Sequence, residues 1–305
     1  MINNKVLKPK SAFTLLELSI VISIMAVLMT GAITISVSVI NNTKKLTTID
    51  KINDIYGAIG KFILTYKRLP CPASLNLIDS DPMFGVERFN DNGGCVSVAG
   101  NGVFNSGNIF LGAIPVKSLD LSFDMARDDF GSKLTYVIDH RFAFPFQEVP
   151  NFSNSSFGTV ENLNSITVSE KFLSVTREIN AQNILLIISH GLNKFGAFNY
   201  SSTIQNGNST DSDENTNKTV GTSYIKSNSN SQIFDDIVFF KTRNQIADDF
   251  NLYYLIACKE NATFTNPIYY GQTTYLTSCS NTDYKRLPEA YCDKYGRLIE
   301  MNKCP

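Results

Sequence analysis

Residues 11–40 read SAFTLLELSIVISIMAVLMTGAITISVSVI, and the one charged side chain among them is Glu17. From Phe13 to Ile40 there are 28 residues, a helix of roughly 42 Å at about 1.5 Å per residue. A bilayer core needs about 20 apolar residues, so the stretch predicts a membrane-spanning helix over 13–40. Its densest part, Leu18 to Met29, is 12 residues long and has by itself the length of a signal-peptide core. Two features oppose that reading. Apolar character continues through Ile33, Ile35, Val37, Val39 and Ile40, and no small-residue cleavage site stands out after the run. Lys5, Lys8 and Lys10 precede the segment. That excess of positive charge places residues 1–12 in the cytoplasm and the rest of the chain outside.

A carboxylate inside an apolar segment is costly and marks a functional candidate. The plain alternative is a signal anchor whose Glu17 sits at the interface and complements the helix dipole. The string Ala12-Phe13-Thr14-Leu15-Leu16-Glu17, behind its basic leader, resembles the processing site of type IV prepilins and type II secretion pseudopilins. The resemblance implies cleavage by prepilin peptidase between Ala12 and Phe13, with Ala12 standing where the family usually has Gly. It implies N-methylation of Phe13 and makes Glu17 the fifth residue of the mature chain. It also gives Glu17 an assembly role: the carboxylate pairs with the N-terminal ammonium of a neighbouring pilin or pseudopilin subunit. An unpaired buried charge would cost several kcal/mol.

Beyond Ile40 the pattern changes. Leu46, Ile49, Ile52, Tyr56, Ile59, Phe62, Ile63 and Tyr66 recur at steps of three and four, the stripe of an amphipathic helix. Gly57 and Gly60 weaken it, and Pro70 is expected to end it. The runs Lys133–Ile138, Asn183–Ser189 and Asp236–Thr242 read as strands, with Gly131, Gly191 and Gly196 as turns. One long helix followed by strands predicts an α+β fold with an antiparallel sheet. The segments Arg68-Leu69-Pro70-Cys71-Pro72, Leu111-Gly112-Ala113-Ile114-Pro115, Asp129-Phe130-Gly131-Ser132-Lys133-Leu134-Thr135-Tyr136, His190-Gly191-Leu192-Asn193 and Phe234-Asp235-Asp236 are similar in order to a large pilin-like subfamily, with Phe130 in place of its usual Trp. The polar stretch Asn206–Ser231 reads as a loop. The expected organisation is a leader at 1–12, a spine helix at 13–67, a pilin-like head at 68–245 and a Cys-rich extension at 246–305. In that extension Tyr253–Ala257 and Thr273–Leu276 read as short strands.

With 27 basic and 28 acidic residues the net charge is -1, which leaves no basic footprint for nucleic acid. Asp211-Ser212-Asp213-Glu214-Asn215 alternates oxygen ligands, but an EF-hand needs Gly and Glu where this chain has Thr216 and Thr222. An acidic solvated loop is the expectation there, and no metal or cofactor is assigned. Ser189 and His190 are adjacent in sequence, whereas a nucleophile and its base must meet in space. No hydrolase, phosphate-loop or zinc-protease motif is present. His190 reads as a turn residue at a strand end, and the chain as a non-enzyme. The six cysteines are Cys71, Cys95, Cys258, Cys279, Cys292 and Cys304. Exported cysteines oxidise, no Cys-Xaa-Xaa-Cys occurs, and six allow 15 pairings. The expected arrangement joins Cys71 with Cys95 and pairs the remaining four among themselves, with free buried cysteines as the alternative.

The reading as a whole is a pilin-like subunit, single-pass in the bacterial cytoplasmic membrane with its head outside, that polymerises into or primes a pilus or pseudopilus. Its rivals are a signal-anchored exported binding module and an anchored hydrolase using His190.

Overall fold

The computed structural model describes residues 14–90, 94–98, 100, 102–144, 166–172, 175–207, 209–227 and 234–252, and the backbone of short strands from 257 to 300; the side chains of residues 30–36 and 181 fall outside the description. Helix α1 runs from Leu15 to Tyr66. The chain divides into two compact units, Met1–Leu46 and Thr47–Pro305, and the division falls inside this helix.

In the first unit the helix is apolar on every face, because its apolar residues are nearly consecutive. Every described side chain from Leu15 to Met29 is exposed, Leu15 at 87% and Val27 at 74%. The hydroxyls on this stretch are turned inward: Ser19 Oγ donates to Leu16 O at 2.8 Å, and Ser23 Oγ to Ser19 O at 2.9 Å. Among the described residues no helix is long and apolar enough to cross a membrane, so the span expected over 13–40 is not seen in them. Phe13 and the side chains of 30–36 lie outside the description. The run Leu15–Met29 that remains is 15 residues, short of the roughly 20 a bilayer core requires.

In the second unit α1 becomes one-sided. Ile52, Ile55, Ile59 and Ile63 are buried, with Tyr56 and Phe62 beside them. Three of the expected stripe positions differ. Leu46 and Tyr66 are exposed and Ile49 is half-buried, while Ile55 joins the buried face. The cause is the 3.6-residue turn: from Ile52 the buried line passes through Ile55, Tyr56, Ile59 and Ile63 and leaves the two ends outside. The helix stops at Tyr66, four residues before Pro70, because Lys67 turns left-handed (φ 58°) and donates its N–H to Ile63 O. Such a turn satisfies a terminal carbonyl. Gly60 has a packing reason, since a Cβ there would come within 2.1 Å of the Phe250 ring.

The helix packs on a mixed sheet. Its strands are β1 (Phe104–Ser106), β2 (Ile109–Ala113), β3 (Thr135–Asp139), β4 (Ile166–Phe172), β5 (Val175–Ser189), β6 (Ser223–Ser227) and β7 (Ile237–Thr242), in the order β1-β2-β3-β5-β4-β6 with β7 also paired to β5. All pairs are antiparallel except β4 with β6, which is parallel and departs from the expected all-antiparallel sheet. The long β5 serves two partners in succession. Its first half pairs with β4 and its second half lies between β3 and β7. The change falls at Gln182, whose φ is 66°, and the Asn183 amide beside it donates to Ile166 O at 3.1 Å.

Both faces of β3 and of the second half of β5, from Asn183 to Ser189, are covered, which is why these stretches read as apolar runs. Tyr136, Ile138, Leu185 and Ile187 meet the buried face of the helix; Val137, Leu186 and Ile188 join Val168, Tyr224 and Val238 in a second cluster. Helix α2 (Ser212–Asn217) and β6 lie in the stretch expected to be a loop, and helix α3 (Arg243–Phe250) follows β7. In the C-terminal region the backbone forms β8 (Ala257–Cys258), β9 (Ile268–Tyr269), β10 (Thr273–Thr274), β11 (Ala290–Cys292) and β12 (Leu298–Glu300). Strand β8 pairs with β9, and β10, β11 and β12 form a small antiparallel sheet. The remainder of the strands expected at 253–257 and 273–276 lies outside the described residues.

Candidate functional site

The N-terminus of α1 is built by two residues. Thr14 N donates to Glu17 Oε2 at 3.0 Å, Thr14 Oγ1 donates to the same oxygen at 3.0 Å, and Glu17 N donates to Thr14 Oγ1 at 3.3 Å. This is a reciprocal capping box, in which two N–H groups that the helix leaves orphaned are satisfied by side chains. The Thr-Leu-Leu-Glu spacing carried that signal, and reading Glu17 only as a dipole partner or pairing charge overlooked it. Glu17 is therefore held by its own chain while remaining exposed. Leu15, Leu16, Leu18 and Ile20 are exposed around it. Ala12 and Phe13, the expected processing residues, lie outside the described residues.

Residues 7–33 match the family model of the prokaryotic N-terminal methylation motif. The N-terminal segment is type IV prepilin-like. The match spans the basic leader from its second half, the Ala12–Phe13 bond, Glu17 and the apolar run after it. No curated protein and no solved structure matches the chain.

The other quoted segments resolve into structural ties of the second unit. Arg68 is 6% exposed. Its guanidinium forms a two-pronged pair with Glu87, Nη1 to Oε2 at 2.8 Å and Nη2 to Oε1 at 2.7 Å, and its Cζ stacks 3.8 Å from the Phe89 ring centre. Cys71 N donates to the same carboxylate at 2.9 Å, and Tyr136 Oη donates to Pro70 O. Cys71 and Cys95 are joined by a disulfide with Cα atoms 5.3 Å apart. The side chains of Cys258, Cys279, Cys292 and Cys304 lie outside the described residues.

The segment after Asp128 ties helix to sheet. Lys51 reaches Asp129 at 2.6 Å and Asp124 at 3.0 Å, and Asp129 N donates to Thr48 Oγ1. The Lys133 ammonium is buried against three carbonyls, those of Leu75, Leu77 and Ser202, at 2.7, 2.7 and 2.9 Å. Burial pulls this ammonium down to about 8.

Ser189 and His190 are both buried, but they are not coupled to each other. Ser189 Oγ donates to Asp128 Oδ2 at 2.7 Å, and His190 Nε2 lies 3.1 Å from Thr135 Oγ1. The acidic string Asp211–Asn215 is not a solvated loop. Asp211 caps α2 by accepting from Asp213 N at 2.7 Å, Asp213 pairs with Lys171 at 2.6 Å, and Glu214 turns inward. These capping and pairing contacts hold a six-residue helix in a sequence with no apolar periodicity to announce it.

Proposed function

We propose that this chain is a pilin-like structural subunit, cleaved by prepilin peptidase between Ala12 and Phe13 and assembled through its N-terminal helix into a type IV pilus or a type II secretion pseudopilus. The match of residues 7–33 to the methylation motif carries the reading. The apolar surface of the helix from Leu15 to Met29 supports it, because such a surface must be covered by lipid, by neighbouring subunits or by both. In this reading residues 13–40 anchor the chain in the bacterial cytoplasmic membrane before assembly. Residues 1–12 face the cytoplasm, and the α+β head and the Cys-rich extension lie on the outer side, where the six cysteines oxidise. The protein acts by assembly and has no catalytic role. Its partners are the peptidase, the membrane and other pilin or pseudopilin subunits.

The capping box separates two roles for Glu17. If the carboxylate only caps the helix, Glu17→Gln preserves its function, because glutamine serves equally at that position of a capping box. If the carboxylate pairs with the N-terminal ammonium of a neighbouring subunit, Glu17→Gln leaves that ammonium without its charge partner. Breaking a buried pair costs about 3–5 kcal/mol. The expected result is normal membrane insertion with loss of crosslinking to partner subunits and of recovery in sheared filaments. Normal incorporation of Glu17→Gln would reduce Glu17 to a helix cap.

A further inference from the structure

Strand β6 closes one end of the sheet. In the order β1-β2-β3-β5-β4-β6 its one strand partner among the described residues is β4, with which it runs parallel. Along a strand the backbone N–H and C=O groups of successive residues point to opposite edges. Thr222 O accepts from Thr167 N at 2.7 Å, so Thr222, Tyr224 and Lys226 face β4, and Ser223, Ile225 and Ser227 face away from it. An outward edge of this kind offers donors and acceptors to any other strand that approaches.

The middle of that edge is filled from within the chain. Asn217, the last residue of α2, is fully buried. Its Oδ1 accepts from Ile225 N at 2.8 Å, and its Nδ2 donates to Ile225 O at 2.8 Å. One carboxamide thus engages both backbone groups of a single strand residue, as an adjacent strand does. Nδ2 also donates to Asp236 Oδ2 at 2.8 Å. An ionised carboxylate only accepts, so this contact fixes which end of the amide is nitrogen.

Helix α2 is anchored where it stands. Asp211 caps it, and Asp213 pairs at 2.6 Å with Lys171 of β4, the register partner of Ser227 at the end of β6. Glu214 accepts from Asn193 Nδ2. These polar contacts hold a six-residue helix whose last side chain meets β6.

We propose that Asn217 is a plug in the outer edge of β6, standing in for a neighbouring strand so that a second copy of this chain does not pair there. The shortness of β6 and the presence of Lys226 act in the same sense, since short edge strands and lysines both discourage pairing. The plug is independent of assembly through the N-terminal apolar helix, which belongs to the other compact unit.

The test uses the full-length protein in detergent. Hydrogen exchange resolved to single amides is measured first on the wild type. Ile225 N–H is expected to be protected to within about tenfold of Tyr224 N–H, which faces β4. An Ile225 amide that exchanges as freely as an open edge would overturn the proposal whatever any variant does. Asn217→Ala should lose about 10–100-fold of that protection, and its mass by sedimentation equilibrium should rise with concentration above that of the wild type. Adding Ile225→Pro, which removes the outward N–H and is tolerated at a sheet edge, should return the mass to the wild-type value. Association through the N-terminal helix is common to all these chains, so the difference from the wild type is what counts. A mass equal to that of the wild type for Asn217→Ala at every concentration, or an association that survives Ile225→Pro, refutes the plug. Should Asn217→Ala fail to fold, Asn217→Asp keeps the volume and the acceptor for Ile225 N–H, loses the donor to Ile225 O and sets a second carboxylate against Asp236; the same rise in mass is expected of it.

Discussion

The buried pair between Arg68 and Glu87 offers the sharpest test of how the helix exit is held. Glu87→Gln keeps the shape of the side chain and removes its charge. The Arg68 guanidinium is left 6% exposed, with two charge-assisted contacts of 2.8 and 2.7 Å weakened together. Cys71 N, which shares the same carboxylate at 2.9 Å, keeps at best a neutral acceptor. Removing one partner of such a pair costs about 3–5 kcal/mol, because the remaining charge stays buried. The stacking on Phe89 at 3.8 Å offsets a part of this, about 1 kcal/mol, so about 3 kcal/mol is expected. The assay is urea unfolding of the full-length protein in detergent, followed by circular dichroism because the chain has no tryptophan. The double variant Arg68→Met/Glu87→Met removes both charges. It should be less destabilised than the sum of Arg68→Met and Glu87→Met, with a coupling of about 2 kcal/mol. A loss under about 1 kcal/mol for Glu87→Gln, the range of surface ion pairs, would mean that water reaches the guanidinium and that the pair does not secure the turn.

Two further outcomes follow from the same unit. Replacing Cys71 and Cys95 by serine opens a loop of sequence separation 24. Chain entropy alone then predicts a loss of about 3.5 kcal/mol, read as a lower urea midpoint; an unchanged midpoint would refute that account. Gly60→Ala places a methyl group within 2.1 Å of the Phe250 ring and should cost about 1–3 kcal/mol by overpacking. The added Phe250→Ala change should make the alanine at 60 tolerable, whereas a helix-propensity effect alone would make Gly60→Ala stabilising in either background.

Sequence patterning exposed some of this architecture and concealed the rest for physical reasons. The buried face of α1 follows helical periodicity, although Leu46 and Tyr66 are apolar but face outward, Ile49 is half-buried, and Ile55 belongs to the buried face. Strands β3, β5 and β7 stood out because their apolar runs are covered on one or both faces. Strand β4 carried a period-two signal in Ile166 and Val168, which the family segments gave no cause to look for. Helix α2 has no apolar stripe and rests on the Asp211 cap and the Asp213–Lys171 pair. The proximity of Glu214 to Asp235 and Asp236 was illegible, because they are far apart along the chain and come together only in the fold. The Arg68–Cys71 and His190–Asn193 segments proved to be anchoring turns with buried polar partners. The prepilin-type segment was the most legible of all, because its chemistry is written in consecutive residues, although the capping box between Thr14 and Glu17 was overlooked.

The central claim concerns the bond before Phe13, and the intact mass of the mature protein extracted from membranes tests it most directly. The account predicts a chain that begins at Phe13, lacking residues 1–12 and carrying one added methyl group at its amino terminus. A chain that still begins at Met1, or one cut beyond residue 30, would contradict it.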